Sequence, residues 1–240
     1  QVIARADELG MVVILGIFYW KHVGKLQGDA AIRRAAESAV QFVVDSGHRN
    51  VIIELANENH EKWPWELLRP TQAHRFIADL RSTFASARLL FSTSIVAHHM
   101  VYPEPLIAAC DFLLPHGNGM KPEEMGPYVA KLRETKAYRA RPMPIIWNED
   151  SPNVGNLDAA VACGTSWGYY DQGFGSSWWG DIWVDYRKQE RETRYADLSG
   201  FQTPPVNWTI NTALKRRFFG RVAELTGAAT AHAGEPPQRA

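Results

Sequence analysis

The sequence predicts an α/β fold of the (β/α)8 barrel kind, and three observations carry that reading. Short apolar runs alternate along the chain with longer stretches of helical periodicity. The short runs are nearly continuous in apolar residues rather than alternating, as in parallel strands covered on both faces. Steps of about 20 to 40 residues from one run to the next suit right-handed βα units.

Taken in order, residues 1–10 read as the last turns of a helix, and 11–18 (MVVILGIF) as the first strand. A helix over 29–46 follows, with Ile32, Ala35, Ala36, Ala39, Val40 and Val43 at helical spacing and Gly47 as its stop. The second strand is 51–57 (VIIELAN). The next helix, 70–86, presents Ala73, Phe76, Ile77, Leu80 and Phe84 on one face, with Pro70 suited to its first turn. Further strands are expected at 88–95, 111–116, 143–148 and 165–170, with helices at 103–109, 122–136, 156–162 and 209–226. The end of the chain, 228–240, is small, polar and Pro-containing, and reads as disordered. The expected organisation is one partial barrel domain, 1–227, and that tail.

This inventory supplies about six units where a closed barrel needs eight. An open sheet would leave two parallel edges unpaired, which soluble proteins avoid. The expectation is therefore an N-terminally truncated barrel, its missing units belonging to a longer chain. A doubly wound open sheet is the competing architecture, but no GxGxxG turn follows any strand.

Composition narrows the partners. At 240 residues and 45% hydrophobic, the chain can bury one large core. Its 26 basic and 26 acidic residues cancel, which gives no electrostatic reason to expect nucleic acid or an anionic membrane. No apolar run approaches the roughly 18 residues of a membrane span. Cys110 and Cys163 both precede strands in apolar company and read as core thiols, not as a disulfide framework.

The chemistry is concentrated in two glutamates that close apolar runs directly after asparagine: Asn57-Glu58 and Asn148-Glu149. The C-terminal end of a parallel barrel strand is where such folds hold reacting groups. Two carboxyl groups over one cleft are the equipment for breaking a glycosidic bond, one as general acid/base and one as nucleophile. Either alone could be an ordinary loop residue or ion-pair partner; together, at matching strand ends, they point to a site. Glu54, in mid-strand, reads as structural, and His98 and His99 as a solvated loop. The nine tryptophans include Trp178 and Trp179 in a long segment, 171–208, that also carries Phe174, Trp183 and Tyr186. That segment reads as a cleft wall offering aromatic platforms for sugars. Asn207-Trp208-Thr209 fits the N-glycosylation pattern, which is short and frequent by chance.

The segments Gly10 to Phe18 and Asn50 to Glu58, with its ELANE stretch, resemble the third and fourth strands of clan A glycoside hydrolases, family 5 cellulases and mannanases above all. Pro144 to Glu149 resembles the seventh strand of that clan, and Ser166-Trp167-Gly168 the eighth. The resemblance covers roughly residues 1–226 and implies a TIM barrel of which this chain supplies strands 3 to 8. It implies a retaining mechanism on a β-linked polysaccharide or oligosaccharide, with Glu58 as acid/base and Glu149 as nucleophile. Asn57 would hydrogen-bond the sugar 2-hydroxyl; His116, Trp167, Trp20, Trp178 and Trp179 would bind substrate. No cofactor is implied, and secretion or a periplasmic location follows from the resemblance alone. Three departures stand out: Asn59 replaces the usual Pro after the acid/base, Phe18-Tyr19-Trp20 stand where a His is common, and the second-strand Arg has no counterpart.

Two other functions fit the same residues. One is a metal-dependent sugar isomerase or epimerase with Glu58, His116, Glu149 and Asp150 as candidate ligands. The other is a degenerate barrel that binds carbohydrate without cutting it.

Overall fold

The computed structural model describes residues 1–117, 119–149, 151–171, 200 and 206–227. Trp178, Trp179, Asp150, most of the expected cleft wall and the 228–240 tail lie outside the described residues.

Every described strand pairing is parallel and joins consecutive segments of the chain. Strands β1 (Val13–Phe18) and β2 (Val51–Ala56) run in register from Val13 opposite Val51 to Phe18 opposite Ala56. β2 continues to β3 (Phe91–Ser92), with Glu54 opposite Ser92. One residue later β4 (Ser94–Val96) takes over and pairs with β5 (Leu114–His116). The break falls at Thr93, whose buried hydroxyl donates to the Ala56 carbonyl at 2.7 Å and so ties the kink back to β2. Tyr102 closes the other side, its hydroxyl donating to the Thr93 carbonyl and accepting from the Leu114 N–H. Bridges at Leu113–Ile145 and His116–Glu149 carry the order on to β6 (Ile146–Trp147), which pairs with β7 (Ser166–Trp167).

All six expected strand regions are present, but the last ones are shorter than their apolar runs. Pro115 and Pro144 each remove an N–H from the ladder there, so regular pairing survives only in pieces. Among the described residues β1 and β7 pair only with β2 and β6, and the strands do not close on themselves.

The helices follow the periodicity. They are α1 (Val2–Glu8), α2 (Trp20–Val23), α3 (Gly28–Asp45), α4 (Pro70–Thr83), α5 (Glu104–Ala109), α6 (Pro122–Glu134), α7 (Lys136–Ala140), α8 (Val154–Ala162) and α9 (Ala213–Thr226). On α3, Ile32, Ala36, Val40 and Val43 are buried; on α4, Ala73, Phe76, Ile77 and Leu80. Gly47, at φ 68°, ends α3 as expected. The expected 122–136 helix stops two residues early because Thr135 leaves helical geometry and caps α7, which the sequence reading missed. The last helix begins later than 209, at Ala213, where Thr212 accepts from the Lys215 N–H. The core lies between strands and helices, around Phe76, Ile53, Leu55, Phe91 and Trp147. Cys110 and Cys163 are both free, and burial pushes the Cys110 thiol up to about 11. Asn207 is buried and its Oδ1 accepts from both the N–H and the hydroxyl of Thr209, so the glycosylation pattern here is a local turn.

Candidate active site

Because all the strands are parallel and in chain order, their C-terminal ends share one rim, and the candidate residues stand along it. Glu58 lies two residues past β2, His116 ends β5, Glu149 lies two residues past β6, and Trp167 ends β7. Trp20 stands two residues past β1.

The first three converge. The His116 Nδ1 atom is 3.3 Å from Glu58 Oε1 and 3.1 Å from Glu149 Oε2. One carboxylate oxygen of Glu58, one of Glu149 and a ring nitrogen of His116 all lie within 4.8 Å of one another. His116 is only 1% exposed at its side chain, whereas Glu58 and Glu149 keep 22% and 19% and can meet solvent. Burial alone would push the His116 imidazole down, yet its value is raised. The Glu58 hydrogen bond and the charges of Glu149, Glu54 and Glu58 outweigh the burial.

Glu58 reaches this position through an unusual main chain. Its φ is 51°, in the left-handed region that non-glycine residues seldom adopt. Hydrogen bonds hold it there. The Glu58 N–H donates to Ser94 Oγ at 2.7 Å, and Trp63 Nε1 donates to the Glu58 carbonyl at 3.3 Å. The next N–H, from Asn59, donates to the Ser94 carbonyl at 2.7 Å. A proline at 59 could not make that bond, which explains in physical terms why asparagine can stand there. The Asn59 side chain is fully buried and donates to the Leu68 carbonyl.

Glu149 depends on a close approach between β6 and the residue after β7. The Gly168 N–H donates to the Trp147 carbonyl at 2.7 Å, and a Cβ on Gly168 would sit 3.3 Å from that oxygen and 3.4 Å from Asn148 Cα. Glycine lets the two segments come together just before Glu149. Beneath them Trp147 is fully buried between the rings of Tyr128 and Trp167, at 5.5 and 6.2 Å between centroids.

The remaining candidates are less tightly assembled. Asn57 is half-buried beside Glu58 and its main chain donates to the Phe18 carbonyl. Trp167 is half-buried and packs on Trp147. Trp20 is 46% exposed, with the Lys21 ammonium 5.6 Å from its ring centre. His98 and His99 are exposed, as a solvated loop would be. Glu54 is buried, but no arginine pairs with it among the described residues. It faces Ser94 and the charges of His116, Glu149 and Glu58 instead. Burial, opposed in part by His116 and the Ser94 hydrogen bond, holds its carboxyl above the usual range. The sequence reading passed over Ser94; its only signal was the polar Ser92-Thr93-Ser94 interruption in an otherwise apolar strand.

Chemically, the cluster can share a proton among three groups, or its three donor atoms could hold a divalent cation. No protein-family model matches the chain, and no curated protein matches it. Among solved structures, the chain is similar to a glycoside hydrolase family 17 beta-1,3-glucanosyltransferase from Rhizomucor miehei. The identity is 13% over 75% of this chain and 72% of that one, with a TM-score of 0.49. It is also similar to an active-site mutant of Rhizomucor miehei beta-1,3-glucanosyltransferase in complex with laminaritriose. There the identity is 12% over 71% of this chain and 69% of that one, again with a TM-score of 0.49. At these values the likeness carries no argument about chemistry.

Proposed function

We propose that the chain is a retaining glycoside hydrolase acting on a β-linked polysaccharide or oligosaccharide, its six strand regions belonging to consecutive units of a (β/α)8 barrel. The supporting observation is the approach of the Glu58 and Glu149 carboxylate oxygens to within 4.8 Å. Nearest oxygens this close suit the roughly 5–5.5 Å separation of retaining enzymes better than the roughly 6.5–9.5 Å that inversion needs for its water.

In this reading Glu149 attacks the anomeric carbon while Glu58 protonates the departing oxygen. The sugar is then joined to Glu149 through an ester, and Glu58 takes a proton from the water that releases it. His116, buried with its Nδ1 facing both carboxylates, serves as their electrostatic partner rather than as a wall of the sugar pocket. Asn57 is the proposed partner of the 2-hydroxyl, a contact that strengthens as charge develops. Trp20 and Trp167, with Trp178 and Trp179 beyond the described residues, are proposed sugar platforms.

The test is a 2-deoxy-2-fluoro aryl glycoside, which should trap the sugar on Glu149 and be located there by peptide mass mapping. Absence of any label, with the unfluorinated glycoside hydrolysed, would remove the retaining mechanism. A second reading, the metal-dependent isomerase, draws on the same three donor atoms. Turnover abolished by a chelator and restored by Mn or Mg would favour it; unchanged turnover would favour the hydrolase.

A further inference from the structure

We propose that Glu54 and Ser94 are positioning residues for Glu58, the buried carboxyl orienting a hydroxyl that fixes the main chain of the acid/base. The inference rests on the reading of Glu58 given above. Three observations carry it.

First, Glu58 is strained. A left-handed conformation in a non-glycine residue is unfavourable and persists only when neighbours hold it. Second, the neighbour is a single fully buried residue that grips twice. Ser94 Oγ accepts from the Glu58 N–H, and the Ser94 carbonyl accepts from the Asn59 N–H. Third, that hydroxyl has its own anchor. With Oγ accepting from Glu58, its one hydrogen is left over, and the neighbouring Glu54 carboxyl, whose Oε1 is buried with no hydrogen-bond partner among the described residues, is the acceptor we infer for it.

The strands are shaped for this chain of contacts. Glu54 stands opposite Gly16 of β1 and Ser92 of β3. A Cβ on Gly16 would lie 3.2 Å from Glu54 Oε2, so the glycine supplies the room that the carboxyl occupies. A carboxyl in mid-strand, buried and given space by the facing glycine, does not serve core packing, which an apolar residue would do better.

The experiment compares kcat/KM for phenyl and 2,4-dinitrophenyl β-glucosides, which reports the bond-breaking step alone. The phenoxide leaving group needs the proton from Glu58, and the dinitrophenoxide does not. Ser94→Ala and Glu54→Leu should lower kcat/KM for the phenyl glycoside about tenfold or more, and for the dinitrophenyl glycoside less than about threefold. Glu54→Gln keeps an oxygen that can accept from Ser94 and should restore most of the loss seen in Glu54→Leu. Equal losses on both substrates, or no difference between the Gln and Leu variants, would overturn the proposal. Amide hydrogen exchange gives an arm independent of turnover. Protection of the Glu58 N–H should fall in Ser94→Ala and Glu54→Leu while that of core strand amides persists. Unchanged protection overturns the positioning role even if the wild type hydrolyses neither glucoside, an outcome that would count against the hydrolase reading instead.

Discussion

Glu149→Asp isolates distance from chemistry, because it keeps the carboxylate and withdraws it by one carbon–carbon bond, about 1.5 Å. The nearest oxygens of Glu58 and Glu149, within 4.8 Å in the wild type, draw apart by up to about 1.5 Å, which is still short of comfortable room for an inverting water. An attacking oxygen held about 3–3.5 Å from the anomeric carbon would retreat to roughly 4.5–5 Å. Since a displacement of about 1 Å costs on the order of a hundredfold, kcat/KM should fall about 10²–10³-fold, or roughly 3–4 kcal/mol of barrier. Stability should hardly change. The side chain is 19% exposed, and the lost methylene is worth at most about 0.8 kcal/mol. The assay is kcat/KM on an aryl β-glucoside, alongside a urea titration and NMR of the first anomer released. A variant within about threefold of wild type, equally stable and giving the same anomer, would refute direct attack by Glu149.

Acidity enters through Glu54 and His116, whose values in the folded chain both lie above the ordinary 4.5 and 6.5. The stability each contributes is complete below its ordinary value and is lost as pH rises through the raised one, so the unfolding free energy should fall with pH in both windows. Glu54→Gln should flatten the lower window; a wild type whose stability rises through both would contradict the assignment. Phe76→Ala, at a fully buried ring with the Arg33 guanidinium 5.2 Å from its centre, should cost about 3–5 kcal/mol in urea unfolding. His116→Asn should lower kcat far more than it raises KM, because the imidazole touches the two acids and not solvent; a change in KM alone would return His116 to a sugar-binding role.

Much of the fold was legible because apolar continuity and helical stripes report burial directly. All six strand regions and the faces of α3 and α4 follow from them. What was not legible depends on geometry between segments. The length of β6 is set by Pro144 and by the register with β5, and α7 by a single capping threonine. The site divides in the same way. Glu58 and Glu149 announced themselves by ending apolar runs, but the role of His116 could not be read, since only the β5–β6 register decides that its Nδ1 faces both acids. Ser94 was invisible for a similar reason. A serine in a strand has no functional signature until the neighbouring loop is seen to hang from it. Trp20 shows the converse: the resemblance implies a substrate contact there, yet nothing in the geometry ties it to the carboxylates.

The charge arrangement explains why so few residues suffice. Glu54, Glu58 and Glu149 all act on His116, and His116 on Glu54, so one imidazole stands among three acids. Three ionised carboxylates in a partly buried space repel strongly, and a buried lone imidazole would resist charging. Each problem relieves the other, since the Glu58 hydrogen bond and the charges of Glu149 and Glu54 all favour a proton on the imidazole. An arginine would give a permanent charge in that place. A histidine gives one that depends on the state of the acids around it, so a change at Glu58 or Glu149 during turnover is felt at once by its partner. Glu54 and Ser94, the proposed positioning residues of Glu58, are both buried. Substitutions there should change how the site handles its proton while leaving the cleft surface intact.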